Sequence, residues 1–171
     1  MNATALLKTQ HRKLEVLFKK LEGGRSAPQA VLDELANSLA AHMAIEHEFF
    51  YPAVKQVDEE LVNESYEEHS LAEVALKRLI ATDVGDEAFA ARVSALKELI
   101  LHHVEEEEQE LFPQVEKAFD EDALATMGKA MKRRYDEVLK RGFESVVPRG
   151  MAKTAADVQK KKSQKRTKSA A

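Results

Sequence analysis

The sequence predicts an all-α protein: an up-down-up-down four-helix bundle with an additional C-terminal helix and a disordered basic tail. Three observations predict this class. The 171-residue chain contains only four Pro and six Gly and no Cys or Trp, and it is dominated by strong helix formers such as Ala, Leu, Glu and Lys. Apolar residues recur at three- and four-residue spacings. The links between these periodic segments are short, which favours antiparallel neighbours in a bundle.

The helices follow one another with recognisable ends. Leu14 and Phe18 belong to the apolar face of the first helix, and the pair Gly23–Gly24 ends it. We predict the other four helices over residues 28–51, 59–82, 87–119 and 121–141. The segment 142–150, which contains a proline, ends the helical pattern. The chain therefore divides into a helical body over residues 1–145 and a flexible tail over residues 146–171.

Charge separates the same two regions. Residues 152–171 carry seven Lys or Arg and one Asp, a net charge of +6, whereas residues 1–151 carry 19 basic and 29 acidic residues, a net charge of -10. The tail has almost no apolar side chain to bury, so we predict that it is disordered. Its positive charge suits weak, nonspecific contact with nucleic acid or another acidic partner.

Composition and motifs exclude several classes of protein. Without cysteine the chain has no disulfide, iron–sulfur cluster, thiolate zinc site or cysteine nucleophile. The sequence lacks the long apolar run of a membrane span and the signature of a secretory signal, so we predict a cytoplasmic protein without a membrane partner. The Glu-x-x-His pairs of ferritin-like proteins, the zinc-protease motif and a glycine-rich phosphate loop are also missing.

An internal repeat relates the first two helices to the third and fourth. His11 and His69 each begin the pattern His-x-x-x-Glu-Val and stand 58 residues apart. His42 and His103 stand 61 residues apart, and each is followed ten residues later by a proline. A kink is predicted at each proline, because its ring removes a backbone donor. The repeat predicts a duplicated helical hairpin that brings one histidine per helix into the bundle.

The spacing of these histidines and two glutamates predicts a metal site. Residues i and i+4 share a helix face, so two His–Glu pairs project inward together with one His from each of the other helices. The six predicted ligands are His11, His42, Glu46, His69, His103 and Glu107. Such groups are costly to bury without partners, and two metal ions about 3.5–4 Å apart would satisfy them. Mixed nitrogen and oxygen donors suit iron, manganese or zinc. The alternative is a structural polar network inside a helical binding module without redox chemistry, whose basic tail contacts an acidic partner.

The order His, His-x-x-x-Glu, His, His-x-x-x-Glu resembles the hemerythrin-like family, also called the HHE cation-binding domain. The motif strings are residues 42–52 and 102–113, and the resemblance covers residues 1–140. It implies a non-haem pair of iron ions, oxo- or hydroxo-bridged, held by the six residues above. It also implies that the protein binds or reduces dioxygen, peroxide or nitric oxide, or handles iron, and it leaves open whether the protein turns over as an enzyme. Glu73 stands where oxygen-carrying members have a fifth histidine, which favours redox chemistry or iron sensing over reversible oxygen carriage.

The neighbours of the six residues receive other roles. Glu15 and Glu73 lie four residues after the histidines of their helices, and we predict that they orient those imidazoles or face solvent. A ligand role is an alternative for Glu73. His47 and His102 lie about 100° around the helix from the predicted ligands, which places them at the surface. Tyr51 lies nine residues after His42; packing in the core is the favoured prediction, and an approach to the metal site is the alternative.

Overall fold

The computed structural model describes residues 1–23 and 28–145, and this part of the chain is all-helical, as predicted. The long helices are α1 (Ala3–Glu22), α2 (Pro28–Ile45), α4 (Glu59–Ile80), α5 (Phe89–Glu106) and α7 (Glu121–Arg141), and the short ones are α3 (Tyr51–Val54) and α6 (Phe112–Ala118). Two π-helical turns, Glu46–Phe50 and Glu107–Leu111, connect α2 to α3 and α5 to α6, and a 3₁₀ turn (Phe143–Ser145) follows α7.

The four-helix bundle is formed by α1, α2, α4 and α5. Helix α1 packs against α2 and α5, and α4 packs against α5 and α2. Helix α7 packs on the outside of the bundle against α1 and α2, so the prediction of an additional C-terminal helix is confirmed. Within the described ranges, none of the helices is both long and apolar enough to cross a membrane.

Aspartate and asparagine side chains define three helix starts. Asn2, Asp58 and Asp120 accept hydrogen bonds from backbone N–H groups three residues ahead, at 2.9, 3.1 and 2.7 Å. Each such cap stabilises its helix by about 1 kcal/mol. The predicted start of the fourth helix at Glu87 is wrong by two residues. The Asp86 carboxylate accepts the Ala88 N–H at 2.7 Å and holds a turn there, so the helix begins at Phe89.

The two π turns correct the expectation of simple kinks at the prolines. The N–H of Tyr51 donates to the carbonyl of Glu46, and the N–H of Phe112 donates to the carbonyl of Glu107, five residues back in each case. Each turn therefore contains one more residue than an α-helical turn. Pro52 follows Tyr51 directly, and Phe112 is likewise followed by a proline. The wider turn accommodates the missing N–H and the ring of the proline.

The core consists of two apolar clusters with a polar layer between them. One cluster gathers Leu7, Ile45, Phe50 and Phe112 with parts of α7, and the other is built on residues of α1, α2, α4 and α5 such as Leu14. Along the chain, the ligands His11, His69 and Glu107 lie between residues of one cluster and residues of the other. Polar groups buried at this depth need partners that the apolar surroundings do not supply.

The basic tail over residues 146–171 lies outside the described residues, so the predicted boundary after residue 145 stays a prediction. We expect deletion of residues 152–171 to leave helix content and metal content unchanged. The reason is that all six predicted ligands and both core clusters lie between Ala3 and Val138. Far-ultraviolet circular dichroism and metal analysis of the truncated chain provide the measurement. Loss of metal on truncation would contradict this expectation.

Candidate metal centre

The structure brings all six predicted ligands together inside the bundle. None of the six is more than 2% exposed. Their donor atoms form two overlapping groups, in each of which all atoms lie within 4.8 Å of one another. The groups are His11, His42, Glu46 and Glu107, and Glu46, His69 and His103. Four helices thus supply one imidazole each, and the two glutamates come from the turns that follow α2 and α5.

Each glutamate faces one histidine from each group. The Oε2 atom of Glu46 lies 3.2 Å from His42 Nε2 and 3.5 Å from His69 Nε2. The Oε2 atom of Glu107 lies 3.4 Å from His11 Nε2 and 3.7 Å from His103 Nε2. Two carboxylates so placed are suited to bridge two cations, with two imidazoles at each cation.

Several of these buried atoms have no hydrogen-bond partner among the described residues. They are the Nε2 atoms of His11 and His42, both carboxylate oxygens of Glu46, and Oε2 of Glu107. On the other side of the centre, His69 Nε2 and His103 Nε2 lie 2.9 Å apart. Unsatisfied buried polar atoms are costly in a folded protein, and bound metal would satisfy them. The donor set therefore fits a pair of cations.

Burial and neighbouring charges shift the pKa values of the ligands in different directions. It lowers the pKa of His42 and His69 well below the ordinary value, which favours the neutral imidazole with a free lone pair. The pKa of Glu46 is raised well above its usual range, first by burial and then by the negative charge of Glu107. The pKa of Glu107 is lowered, because contacts with His103 and His11 outweigh the effect of burial. Cations at the bridging positions would remove the repulsion between the two carboxylates.

Every ligand histidine is oriented from behind by a hydrogen bond at Nδ1. The pairs are His11 with Glu108 (2.8 Å), His42 with Gln10 (2.9 Å), His69 with His47 (2.9 Å) and His103 with Glu68 (2.7 Å). These partners obey the internal repeat. Gln10 and Glu68 each directly precede a ligand histidine, whereas His47 and Glu108 each directly follow a ligand glutamate. Such outer hydrogen bonds direct the other ring nitrogen, Nε2, toward the metal.

Of the alternatives predicted for Glu15 and Glu73, the described part of the structure does not show the hydrogen bond to a ligand histidine, and both side chains are partly exposed. Each glutamate pairs with a basic residue of its own helix, Glu15 with Arg12 three residues before it and Glu73 with Lys77 four residues after it. Lys77 Nζ donates to Glu73 at 2.7 Å. His47 is exposed, as predicted, but its contact with His69 was not foreseen. The internal repeat contained a signal for these hydrogen-bond partners, because each partner is directly adjacent in sequence to a metal ligand.

The two adjacent histidines of α5 differ in burial, as the sequence predicts. His103 is buried in the centre, whereas the side chain of His102 is 65% exposed. Both have a glutamate four residues later, Glu106 for His102 and Glu107 for His103, but only His103 has the ten-residue spacing to a proline that His42 also has. The helix phase inferred from the repeat is therefore correct.

Tyr51 lies at the centre rather than only in the apolar core. Its hydroxyl group donates to Glu107 Oε1 at 3.1 Å and lies 3.3 Å from the Nε2 atoms of both His69 and His103. On a regular α-helix Tyr51 would lie about 180° from His42. The extra residue of the π turn rotates it by about 100° toward the centre. Burial, together with Glu107 and Glu46, raises the pKa of the phenol well above its ordinary value.

The repeat is broken at this position. Phe112 is the counterpart of Tyr51, and its ring stacks on His11 with centroids 5.9 Å apart. One half of the centre thus includes a phenol oxygen, and the other half has an inert ring in its place. The two halves therefore offer different surroundings to two otherwise similar donor sets.

The order and spacing of the ligands agree with a known family. The model of the hemerythrin HHE cation-binding domain matches residues 2–115. The chain belongs to this family. The buried His and Glu clusters of this HHE domain are consistent with the cation binding for which the family is named.

Two relatives place this HHE domain among known proteins. A DNA nickase from Nostoc sp. (strain PCC 7120) is 27% identical over 146 residues, which make up 81% of this chain and 41% of the nickase. The chain therefore spans about two fifths of the length of that curated relative. The crystal structure of a hemerythrin HHE cation-binding-domain-containing protein from Mycobacterium kansasii has a TM-score of 0.73 and 24% identity, and the match covers 82% of this chain and 89% of that one. The HHE domain described here has the same fold.

Proposed function

We propose that this HHE domain holds a non-haem di-iron centre and binds or reduces a small oxidant: dioxygen, peroxide or nitric oxide. The observation that carries the proposal is the placement of Glu46 and Glu107. Each carboxylate lies close to one histidine of the first ligand group and one of the second. The ligands of the proposal are the six residues predicted from the sequence. Tyr51 adds an oxygen donor on one side.

Iron suits this donor set better than zinc. Four imidazoles and two carboxylates would hold the ions with mixed nitrogen and oxygen donors and without thiolate. Structural zinc is almost always four-coordinate, whereas imidazole together with carboxylate and open positions is typical of non-haem iron. When bound, iron supplies electrons for redox chemistry and a coordination position for a small ligand.

The protein's own residues control access and proton supply. The six donors are at most 2% exposed, so a molecule of a few atoms is the class of substrate that the centre admits. The Tyr51 hydroxyl, which donates to Glu107 at 3.1 Å, holds a proton beside the donor atoms. Glu68 and Glu108 hold two of the imidazoles through charge-assisted hydrogen bonds.

Other functions are less well supported by this geometry. A plain helical binding module accounts for the bundle but leaves buried Nε2 and carboxylate atoms unsatisfied. DNA nicking, the activity named for the Nostoc relative, requires a phosphodiester to reach the reactive group, and these donors are enclosed. Iron handling remains the second candidate, because it needs the same centre without turnover of an oxidant.

Metal analysis and absorption spectroscopy test the proposal. Protein loaded anaerobically with Fe²⁺ and then oxidised should contain about two iron ions per chain and absorb in the near ultraviolet and toward the visible. Adding dioxygen, peroxide or nitric oxide separately to the reduced protein identifies the reacting oxidant, and no spectral response to any of them would leave iron handling. Stoichiometric zinc without an iron band would contradict the di-iron assignment.

A further inference from the structure

A second group of metal-binding side chains lies at the surface of the α4–α5 pair. Glu68, His102 and Glu106 each offer one donor atom, and these atoms lie within 4.8 Å of one another. His102 Nε2 lies 3.4 Å from Glu106 Oε1 and 3.9 Å from Glu68 Oε1. The His102 side chain is 65% exposed, against 17% for Glu68 and 22% for Glu106. The group thus opens to solvent on the imidazole side and is shielded on the carboxylate side.

The two carboxylates of this group lack the partners that surface acids usually have. Among the described residues, neither Glu68 nor Glu106 forms an ion pair with a lysine or arginine. The Oε2 atom of Glu106 is buried and has no hydrogen-bond donor within the described ranges. An oxygen shielded from water without a donor is costly. A cation held between the imidazole and the two carboxylates would supply both the missing charge and the missing partner.

The internal repeat shows that the buried centre does not require this group. The equivalent positions in the first hairpin are Gln10, Ala41 and Ile45. Of these, Gln10 orients His42 as Glu68 orients His103, and the other two are buried apolar residues. One half of the centre is therefore built without a histidine or a second carboxylate at these positions.

We propose that Glu68, His102 and Glu106 form a surface site for a divalent transition-metal cation. One imidazole and two carboxylates form a donor set suited to Fe²⁺, Mn²⁺ or Zn²⁺. Glu68 links this site to the buried one, because its Oε2 atom bonds His103 Nδ1 at 2.7 Å while its Oε1 atom faces His102.

The position of the site assigns it a role in metal loading. A cation bound there would contact Glu68 from the solvent side. Among the described residues, Glu68 is the only carboxylate that contacts both His102 and a buried ligand histidine. Binding at this surface site stands on its own observations. The loading role rests on the proposed di-iron function.

Zinc titration of the iron-loaded, full-length chain by calorimetry tests the binding. We expect one Zn²⁺ per chain beyond the metal of the buried centre. His102→Ala and Glu106→Gln should each weaken this binding by about tenfold or more. Glu105→Gln is the matched control, because it removes one negative charge from an exposed neighbour on the same helix. It should change the affinity much less.

The outcomes separate this proposal from the iron assignment. If the buried donors hold zinc instead of iron, total zinc per chain should still fall by one on replacement of His102 by Ala. Equal zinc stoichiometry and affinity in the wild type, His102→Ala and Glu106→Gln would overturn the surface site. For the loading role, Fe²⁺ uptake by the metal-free chain should be slower in Glu106→Gln than in Glu105→Gln, and equal rates would overturn that role.

Discussion

Iron-loaded Glu46→Gln should hold about one iron ion or fewer per chain, against about two in the wild type. Glu46 Oε2 faces His42 Nε2 at 3.2 Å and His69 Nε2 at 3.5 Å, so the carboxylate serves both predicted metal positions. Glutamine keeps the shape of the side chain but loses its charge and offers only one oxygen. Metal analysis after loading and desalting measures this effect.

In the absence of metal, the same substitution should change the free energy of unfolding by less than about 0.5 kcal/mol. Burial and the charge of Glu107 raise the pKa of Glu46, and glutamine resembles the neutral carboxyl group that this environment favours. Neither oxygen of Glu46 has a hydrogen-bond partner within the described ranges, so the variant gives up no such bond. With free metal at a hundred times its dissociation constant, the wild type should gain about 2.7 kcal/mol per bound ion, and the variant should gain less.

Urea unfolding with and without metal, for the wild type and Glu46→Gln, measures both expectations. Glu110→Gln is the control, because Glu110 is exposed and lies in the equivalent π turn. It should retain about two iron ions and the full stabilisation by metal. A Glu46→Gln variant that keeps two iron ions, or that unfolds much more easily without metal, would show that Glu46 serves the fold rather than the centre.

Replacing Gly128 by Ala should destabilise the folded chain by about 1–2 kcal/mol, because overpacking against backbone outweighs the better helix propensity of alanine. A Cβ atom at Gly128 would lie 2.7 Å from Asn2 C and Met1 O and 2.9 Å from Ala3 N. These are main-chain atoms at the start of α1, and Asn2 is the residue that caps this helix. The substitution therefore separates α7 from α1 or displaces the cap.

Thermal unfolding measures this effect, with a decrease in the melting temperature of about 2–4 °C per kcal/mol expected for a chain of this size. Gly85→Ala is the matched control, because a Cβ atom there meets nothing within 4 Å. It should leave the melting temperature nearly unchanged or raise it slightly. A stabilised Gly128→Ala variant would show that the start of α1 moves aside at no cost.

The sequence by itself determined the fold class and the six residues that meet inside the bundle. Apolar periodicity specifies which face of each helix is buried, and the repeat specifies which histidine lies on that face. The distinction between His102 and His103 illustrates this, since only His103 lies ten residues before a proline, as His42 does in the first half of the repeat. Such signals lie within one helix and depend only on its regular geometry. Most helix ends were predicted to within about two residues, but the second helix, predicted to end at Tyr51, gives way to a π turn after Ile45, and the helical path continues to Val54.

Only the tertiary structure decided what surrounds those six residues. The position of Tyr51 depends on a hydrogen bond from its N–H to the carbonyl of Glu46, five residues back, and a regular helix turns this side chain away from the centre. The partners of the ligand histidines, such as Glu108 for His11 and Glu68 for His103, come from other helices. Their contacts are set by the rotation and axial offset of packed helices, which the periodicity of a single helix does not encode.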